Sequence, residues 1–174
     1  QDFNYCSMDI TNNDEVVSVV SDFNPDVIIN TAAMTNVDAC ESNREQCVAM
    51  NVHGVQHLVD VSIENDIHLI HLSTDFVFDG DSGPYKEDDT PNPLSFYGAS
   101  KYDSEQILIN SDLKNWAIAR TIIIYGHVEN MSRSNIVLWA KGALEKGDPL
   151  NIIDDQFRAP TLAEDLADAC ILAA

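Results

Sequence analysis

Ile67-His68-Leu69-Ile70-His71-Leu72-Ser73-Thr74 is the stretch on which the fold turns. The run from Ile67 to Leu72 is largely apolar and stops abruptly at two hydroxyl residues, Ser73 and Thr74. A strand buried on both faces of a parallel sheet reads this way when its carboxyl end opens into a crevice. Upstream, Asp26-Val27-Ile28-Ile29-Asn30 is a second such strand and runs into the small residues Thr31-Ala32-Ala33. Downstream, Trp116 to Ile124 is another apolar run.

Helical patterns separate these strands. Thr11-Asn12-Asn13-Asp14 is a helix-start cluster, Val16, Val17, Val19, Val20 and Phe23 carry the helix, and Pro25 ends it. A long or broken helix is expected from about Val37 to Asn65, with Val48, Asn51, Val55, Leu58 and Ser62 at helical spacing. Further helices are expected over Tyr97 to Leu113, over Asn135 to Lys146 with Gly147 closing it, and from Thr161 to Ala174. Asn4 to Ile10 and Leu150 to Ile153 read as short strands, and Asp79 to Pro93 as a long loop over a strand end. Alternation of this kind predicts an α/β fold: a Rossmann-like parallel sheet with helices on both faces, here a single partial domain over residues 1–174.

The chemistry concentrates in two places. Ser73-Thr74-Asp75 follows the third strand, and Tyr97 stands four residues before Lys101 at the head of a helix, so one turn puts phenol and amine on the same face. A phenol ionises near pH 10 and exchanges protons poorly at neutral pH. An ammonium one turn away favours the phenolate and is expected to lower that value. The Thr74 hydroxyl can hold a carbonyl oxygen where Tyr97 delivers its proton, and a nicotinamide hydride would complete a carbonyl reduction. Ser-Thr-Asp after a strand is also a common way to cap a turn.

Nine basic and 29 acidic residues leave a formal charge of −20, which argues against nucleic acid or an anionic membrane as partner. Cys6, Cys40, Cys47 and Cys170 form no CxxC pair, and Cys40 and Cys47 are two helical turns apart. Free thiols in a reducing cytoplasm are expected. His53 and His57 lie four apart without an HExxH pattern and read as a helix surface pair, so no metal site is expected. No run is long enough for a membrane span.

The segments STDFVFDG and PYKEDDTPNPLSFYGASK, with PDVIINTAAMTNVDACE before them and IARTIIIYG and DDQFRAPTLAEDLA after, resemble the extended short-chain dehydrogenase/reductases, specifically the dTDP-4-dehydrorhamnose reductase branch. The resemblance covers essentially the whole chain. It implies Thr74, Tyr97 and Lys101 as catalytic residues, NADP or NAD as hydride carrier, and a nucleotide-linked 4-keto sugar as substrate. It implies contact with the cofactor from Asp9, Ile10, Ala32, Ala33, Asn51, Ser73 and Thr121, besides Tyr97 and Lys101. On the substrate side it implies Thr74, Asp75, Phe76, Gln156 and Arg158, the last as a bidentate partner for a diphosphate.

Each residue also has a plainer reading. Asp9 also reads as a strand-end acid leading into a helix cap, Ala32 and Ala33 as packing residues. Asn51 either helps position the lysine or satisfies a buried backbone carbonyl, and the plainer reading of Arg158 is a surface ion pair.

Two departures from the family stand out. The seven glycines, at 54, 80, 83, 98, 126, 142 and 147, form no GxxGxxG cluster, so the family's first strands and phosphate turn are missing. A truncated chain is expected, with an exposed edge at the strand of residues 26–31 through which it would form a homo-oligomer. The segment Thr121-Ile122-Ile123-Ile124-Tyr125 lacks the Trp usual in rhamnose-pathway reductases. IIYGHVENMSRSNIV is closer to the regulatory β subunit of methionine adenosyltransferase, a branch that binds NADP(H) and a catalytic partner.

Overall fold

The computed structural model describes residues 4–126, 135–155 and 158–174. They fall into two compact units, residues 1–120 with 173–174, and residues 121–172.

The first unit is built on a three-stranded sheet in the order β1 (Val27–Asn30), β2 (His68–Thr74), β3 (Trp116–Thr121), the last residue of β3 crossing into the second unit. β1 and β2 are parallel, with Ile29 beside Ile70 and Asn30 beside His71. α1 (Asn13–Phe23) starts where the Asn12 side chain accepts from the amides of Asp14 and Glu15, and ends at Asn24 in the left-handed region. The expected helix from Val37 to Asn65 is broken, as α2 (Val37–Ser42), α3 (Arg44–Val48), a π-helical turn (Ala49–His53) and α4 (Gly54–Asn65). The wide turn carries Asn51 into the interior, where it is fully buried. α5 (Phe96–Ile109) is capped by Ser95 and stops four residues short of the expected Leu113, where Asn110 turns its amide back onto the Gln106 carbonyl.

Val16 and Val20 of α1, Val55, Leu58, Val59 and Val61 of α4, Ile67 and Leu69 at β2, and Leu108 and Leu113 make one apolar cluster. Each such side chain contributes about 1.5–3 kcal/mol on burial. The cluster fixes β2 against α4 and α5, and so fixes where the end of β2 meets the head of α5.

Residues 4–10 are not a strand. Tyr5 is 91 % exposed, and no described strand lies alongside to take the ladder hydrogen bonds that a strand requires. Ile10 is buried in the core nonetheless, and Asp9 begins the turn into α1. β1 forms the sheet edge, with Ile29 exposed.

The second unit holds β4 (Ile124–Tyr125) and β5 (Thr161–Leu162), paired in parallel, with α6 (Ile136–Lys146) and α7 (Ala163–Ala173). The Asn135 side chain caps α6 at one end and Gly147, at φ 74°, closes the other. The expected apolar strand of residues 116–124 is divided between β3 and β4, and residues 150–153 form no strand. Gln156 and most of the segment HVENMSRSN lie outside the described residues.

Candidate active site

The carboxyl end of β2 carries the site. Ser73 and Thr74 are both buried there, and the chain passes directly into a 3-10 turn over Asp75–Val77. The Thr74 hydroxyl accepts from the Phe76 amide at 3.2 Å, so it does cap this turn, and it reaches Asp75 Oδ1 at 3.3 Å. Tyr97, in the first turn of α5, lies beside it, and the Thr74 side chain favours its phenolate form. Phe76 meets the Tyr97 ring edge-on, with centroids 5.7 Å apart.

Tyr97 is 9 % exposed. Burial raises its pKa above the usual phenol value, outweighing the Thr74 side chain, which favours the phenolate. This reverses the expected direction of shift. The physical reason is that Lys101 turns inward: its Nζ lies 3.0 Å from His71 Nε2, and the residue is 2 % exposed. Burial lowers the Lys101 amine to about 8, against the opposing pull of Glu105 and Cys47.

Behind these groups α5 presents a polar inner face. Ser73 donates to Glu105 at 2.5 Å, and Glu105 is held in turn by two contacts from Arg120. His71 contacts Ser104 Oγ at 2.9 Å and Asn30 Nδ2 at 3.1 Å. Asn51 accepts from the Met34 amide and donates to the Met34 carbonyl and the Ser100 hydroxyl, at 2.7, 3.0 and 2.9 Å. Its partners are thus a backbone segment, Ser100 and the Cys47 sulfur, 3.4 Å away, while His71 occupies the place beside the lysine.

Asp9 is exposed and its carboxylate takes the Thr11 amide and hydroxyl, which keeps its pKa below the ordinary value. Ile10 and Ala32 line a groove of about 340 Å³ with Tyr5, Met8, Ile28 and Asn30; Ala33 follows half-buried in the same turn. Thr121, in the second unit, reaches the Thr161 hydroxyl at 3.2 Å, and Arg158 of the same unit is exposed.

His71, Ser104, Glu105 and Arg120 had not been singled out as a connected group. The available signal was a histidine inside an apolar strand, and a row of Tyr97, Ser100, Lys101, Ser104 and Glu105 at spacings of three and four. A buried helix face made of polar residues escapes a reading based on apolar periodicity. Among the described residues no cluster of three or more His, Cys, Asp or Glu could hold a metal ion. No described helix is long and apolar enough to cross a membrane.

A parallel sheet ending in a Ser-Thr pair, with a Tyr and a Lys one helical turn apart beside it, defines a Rossmann-like fold of the short-chain reductase kind. The match to the RmlD substrate binding domain extends over residues 2–174, and the chain belongs to that family. It is 39 % identical over 168 residues to a dTDP-4-dehydrorhamnose reductase from Aggregatibacter actinomycetemcomitans, covering 96 % of this chain and 55 % of the relative. It is 35 % identical over 156 residues to methionine adenosyltransferase 2 subunit beta from Xenopus laevis, covering 90 % and 46 %. A crystal structure of dTDP-4-dehydrorhamnose reductase from Bacillus anthracis in complex with NADP superposes with a TM-score of 0.85 at 33 % identity, over 95 % of this chain and 58 % of that one. The chain thus spans about half the length of the relatives it matches.

Proposed function

We propose that the full-length protein containing this chain reduces a nucleotide-linked 4-keto sugar with NADPH or NADH, as a dTDP-4-dehydrorhamnose reductase. The observation that carries this reading is the buried Thr74 at the end of β2 beside buried Tyr97, with Lys101 one turn along α5. Thr74 orients the ketone oxygen and Tyr97 gives it a proton. Lys101 returns a proton to the phenolate. Tyr97 stays protonated at neutral pH because its pKa is raised, which suits an acid in the reductive direction.

The residues present fit the nicotinamide half of a dinucleotide: a buried amine and phenol beside a strand end, and an open small-residue turn at Ala32 and Ala33 after β1. Asp9 and Ile10 would hold the adenine side, Ser73, Asn51 and Thr121 would support the nicotinamide side, and Asp75, Phe76, Gln156 and Arg158 would meet the sugar nucleotide. When bound, the cofactor supplies the hydride. The phosphate turn would come from the portion of the relatives' length that these residues do not span. A reducing cytoplasm suits the four free cysteines. The β1 edge favours association of the isolated 174-residue chain with a second copy; a monomer by light scattering would remove that point.

The test is NAD(P)H oxidation by the full-length protein with a dTDP-linked 4-keto sugar, beside Tyr97→Phe. Loss of turnover by about 10²–10⁴-fold in the variant is expected. A second reading, a regulatory subunit without turnover, is favoured by the missing Trp after Thr121 and by the likeness to methionine adenosyltransferase β subunits. No turnover in either protein, with co-purification of a synthetase, would select it.

A further inference from the structure

The inner end of the Lys101 side chain meets a histidine whose proton can be located from its neighbours. The Ala32 amide donates to Asn30 Oδ1 at 3.0 Å, which fixes the Asn30 side chain with its Nδ2 donors toward His71 Nδ1, 3.1 Å away. Asn30 and His71 are register partners on β1 and β2, so the backbone enforces this pairing. A donor facing Nδ1 makes that nitrogen the acceptor and leaves the proton of a neutral imidazole on Nε2. The ring is wholly buried, and burial together with the Lys101 charge keeps its pKa well below the ordinary histidine value. On the other side, Ser104 donates its single proton to the Lys101 carbonyl at 2.6 Å and therefore accepts from Nε2 at 2.9 Å. Lys101 Nζ stands 3.0 Å from the same Nε2.

An ammonium has three donors and no acceptor, so it finds no lone pair on a protonated Nε2. A neutral amine needs none there. We propose that His71 is a positioning residue for Lys101: Asn30 and Ser104 fix the imidazole proton on Nε2, so that the ammonium finds no acceptor on its buried side. The titratable groups facing Lys101 are Glu105 on its own helix and Cys47 on α3, both of which favour the ammonium, so His71 works against them. The consequence for chemistry rests on the reductase reading. Once Tyr97 has passed its proton to the ketone oxygen, Lys101 loses one N–H to the phenolate, and the neutral amine takes a replacement proton from water. A lysine that releases its proton readily near neutral pH shortens that return.

The experiment reads the histidine and the lysine directly in the full-length protein. With ¹⁵N-labelled histidine, the wild-type His71 signals at pH 7 should show a proton on Nε2 and a bare Nδ1. Asn30→Asp replaces the donor with an acceptor and should move the proton to Nδ1. Nε2 then offers a lone pair to the ammonium, and the Lys101 titration, followed by its labelled Cε, should rise by about one pH unit, tenfold in proton affinity. His71→Gln, whose carbonyl can also accept from the ammonium, should raise it likewise and displace the alkaline limb of the turnover profile. A proton on wild-type Nδ1 overturns the proposal by itself, even should a variant fail to fold. So does an unchanged Lys101 titration in both folded variants. Absence of turnover in the wild type removes the reductase reading instead and leaves the tautomer result standing.

Discussion

Arg120 grips Glu105 from the end of β3, with Nε 2.9 Å from Oε1 and Nη2 2.7 Å from Oε2. The carboxylate is fully buried, and the same guanidinium reaches the Glu87 carbonyl at 3.2 Å and lies 5.1 Å over the Phe78 ring. One side chain thus joins β3, α5 and the loop after the 3-10 turn. Arg120→Leu strands a buried charge and should cost about 3–5 kcal/mol by urea denaturation. Adding Glu105→Leu should recover part of that loss, because the orphaned charge goes with it. A double variant as unstable as the sum of the two singles would show that the pair does not act through its charge.

Gly98 sets how closely α5 approaches the 3-10 turn. A Cβ there would lie 2.2 Å from the Phe76 carbonyl oxygen, a backbone atom that cannot step aside without moving Thr74 and Asp75. Gly98→Ala should therefore unfold the site, with a loss of several kcal/mol on the order of the largest overpacking effects. Gly142, inside α6, meets nothing within 4 Å, so Gly142→Ala should stabilise by about 0.5–1 kcal/mol. Thermal melts of the two variants moving in the same direction would contradict this contrast.

The contrast between β2 and α5 shows what was legible in the sequence. β1 and β2 could be read because apolar runs of that length have few other uses, and the placement of Thr74 at the end of β2 and of Tyr97 and Lys101 at the head of α5 because the spacing shows it. Residues 4–10 form no strand: strand propensity in a short segment does not say whether a neighbour exists to pair with. The break at Asn43 and the π-turn at Ala49–His53 leave no mark in apolar spacing. The contacts of His71 were hidden for another reason: its partners Asn30, Lys101 and Ser104 lie 41, 30 and 33 residues away, and only the register of β1 on β2 and the packing of α5 bring them together.

Asp79 organises the loop that follows. It accepts from the Tyr85 hydroxyl at 2.5 Å, Asn92 Nδ2 at 2.9 Å and the Asp81 amide at 3.0 Å, and Tyr85 stacks on Phe78 at 4.3 Å. These bonds, the Tyr85 hydroxyl first, lower its pKa from 3.8 to about 2. A carboxylate whose folded value is depressed contributes stability above its unfolded value, and loses it as pH falls through the folded one. Amide exchange of residues 79–92 should therefore be insensitive to pH above about 4, after correction for intrinsic rates, and protection should fall between 3.8 and 2. Asp79→Asn should lower protection at pH 7 and abolish the acid step; a step that survives the substitution belongs to another group.

Lys101 should make the protein less stable than it would be without a buried amine, in a way that pH reveals. Its value falls from 10.5 to about 8 on folding, chiefly through burial. Between those two values the unfolded chain binds more protons than the folded one, so stability rises with pH across that window. Below about 8 the cost of the buried ammonium is present in full, and above 10.5 it is gone. Lys101→Met keeps the length of the side chain and removes the charge. It should gain about 3 kcal/mol at pH 7 by denaturant unfolding. The gain should shrink through pH 8–10.5 and vanish beyond. A gain that does not vary with pH would mean that packing of the methionine, and not the buried charge, separates the two proteins.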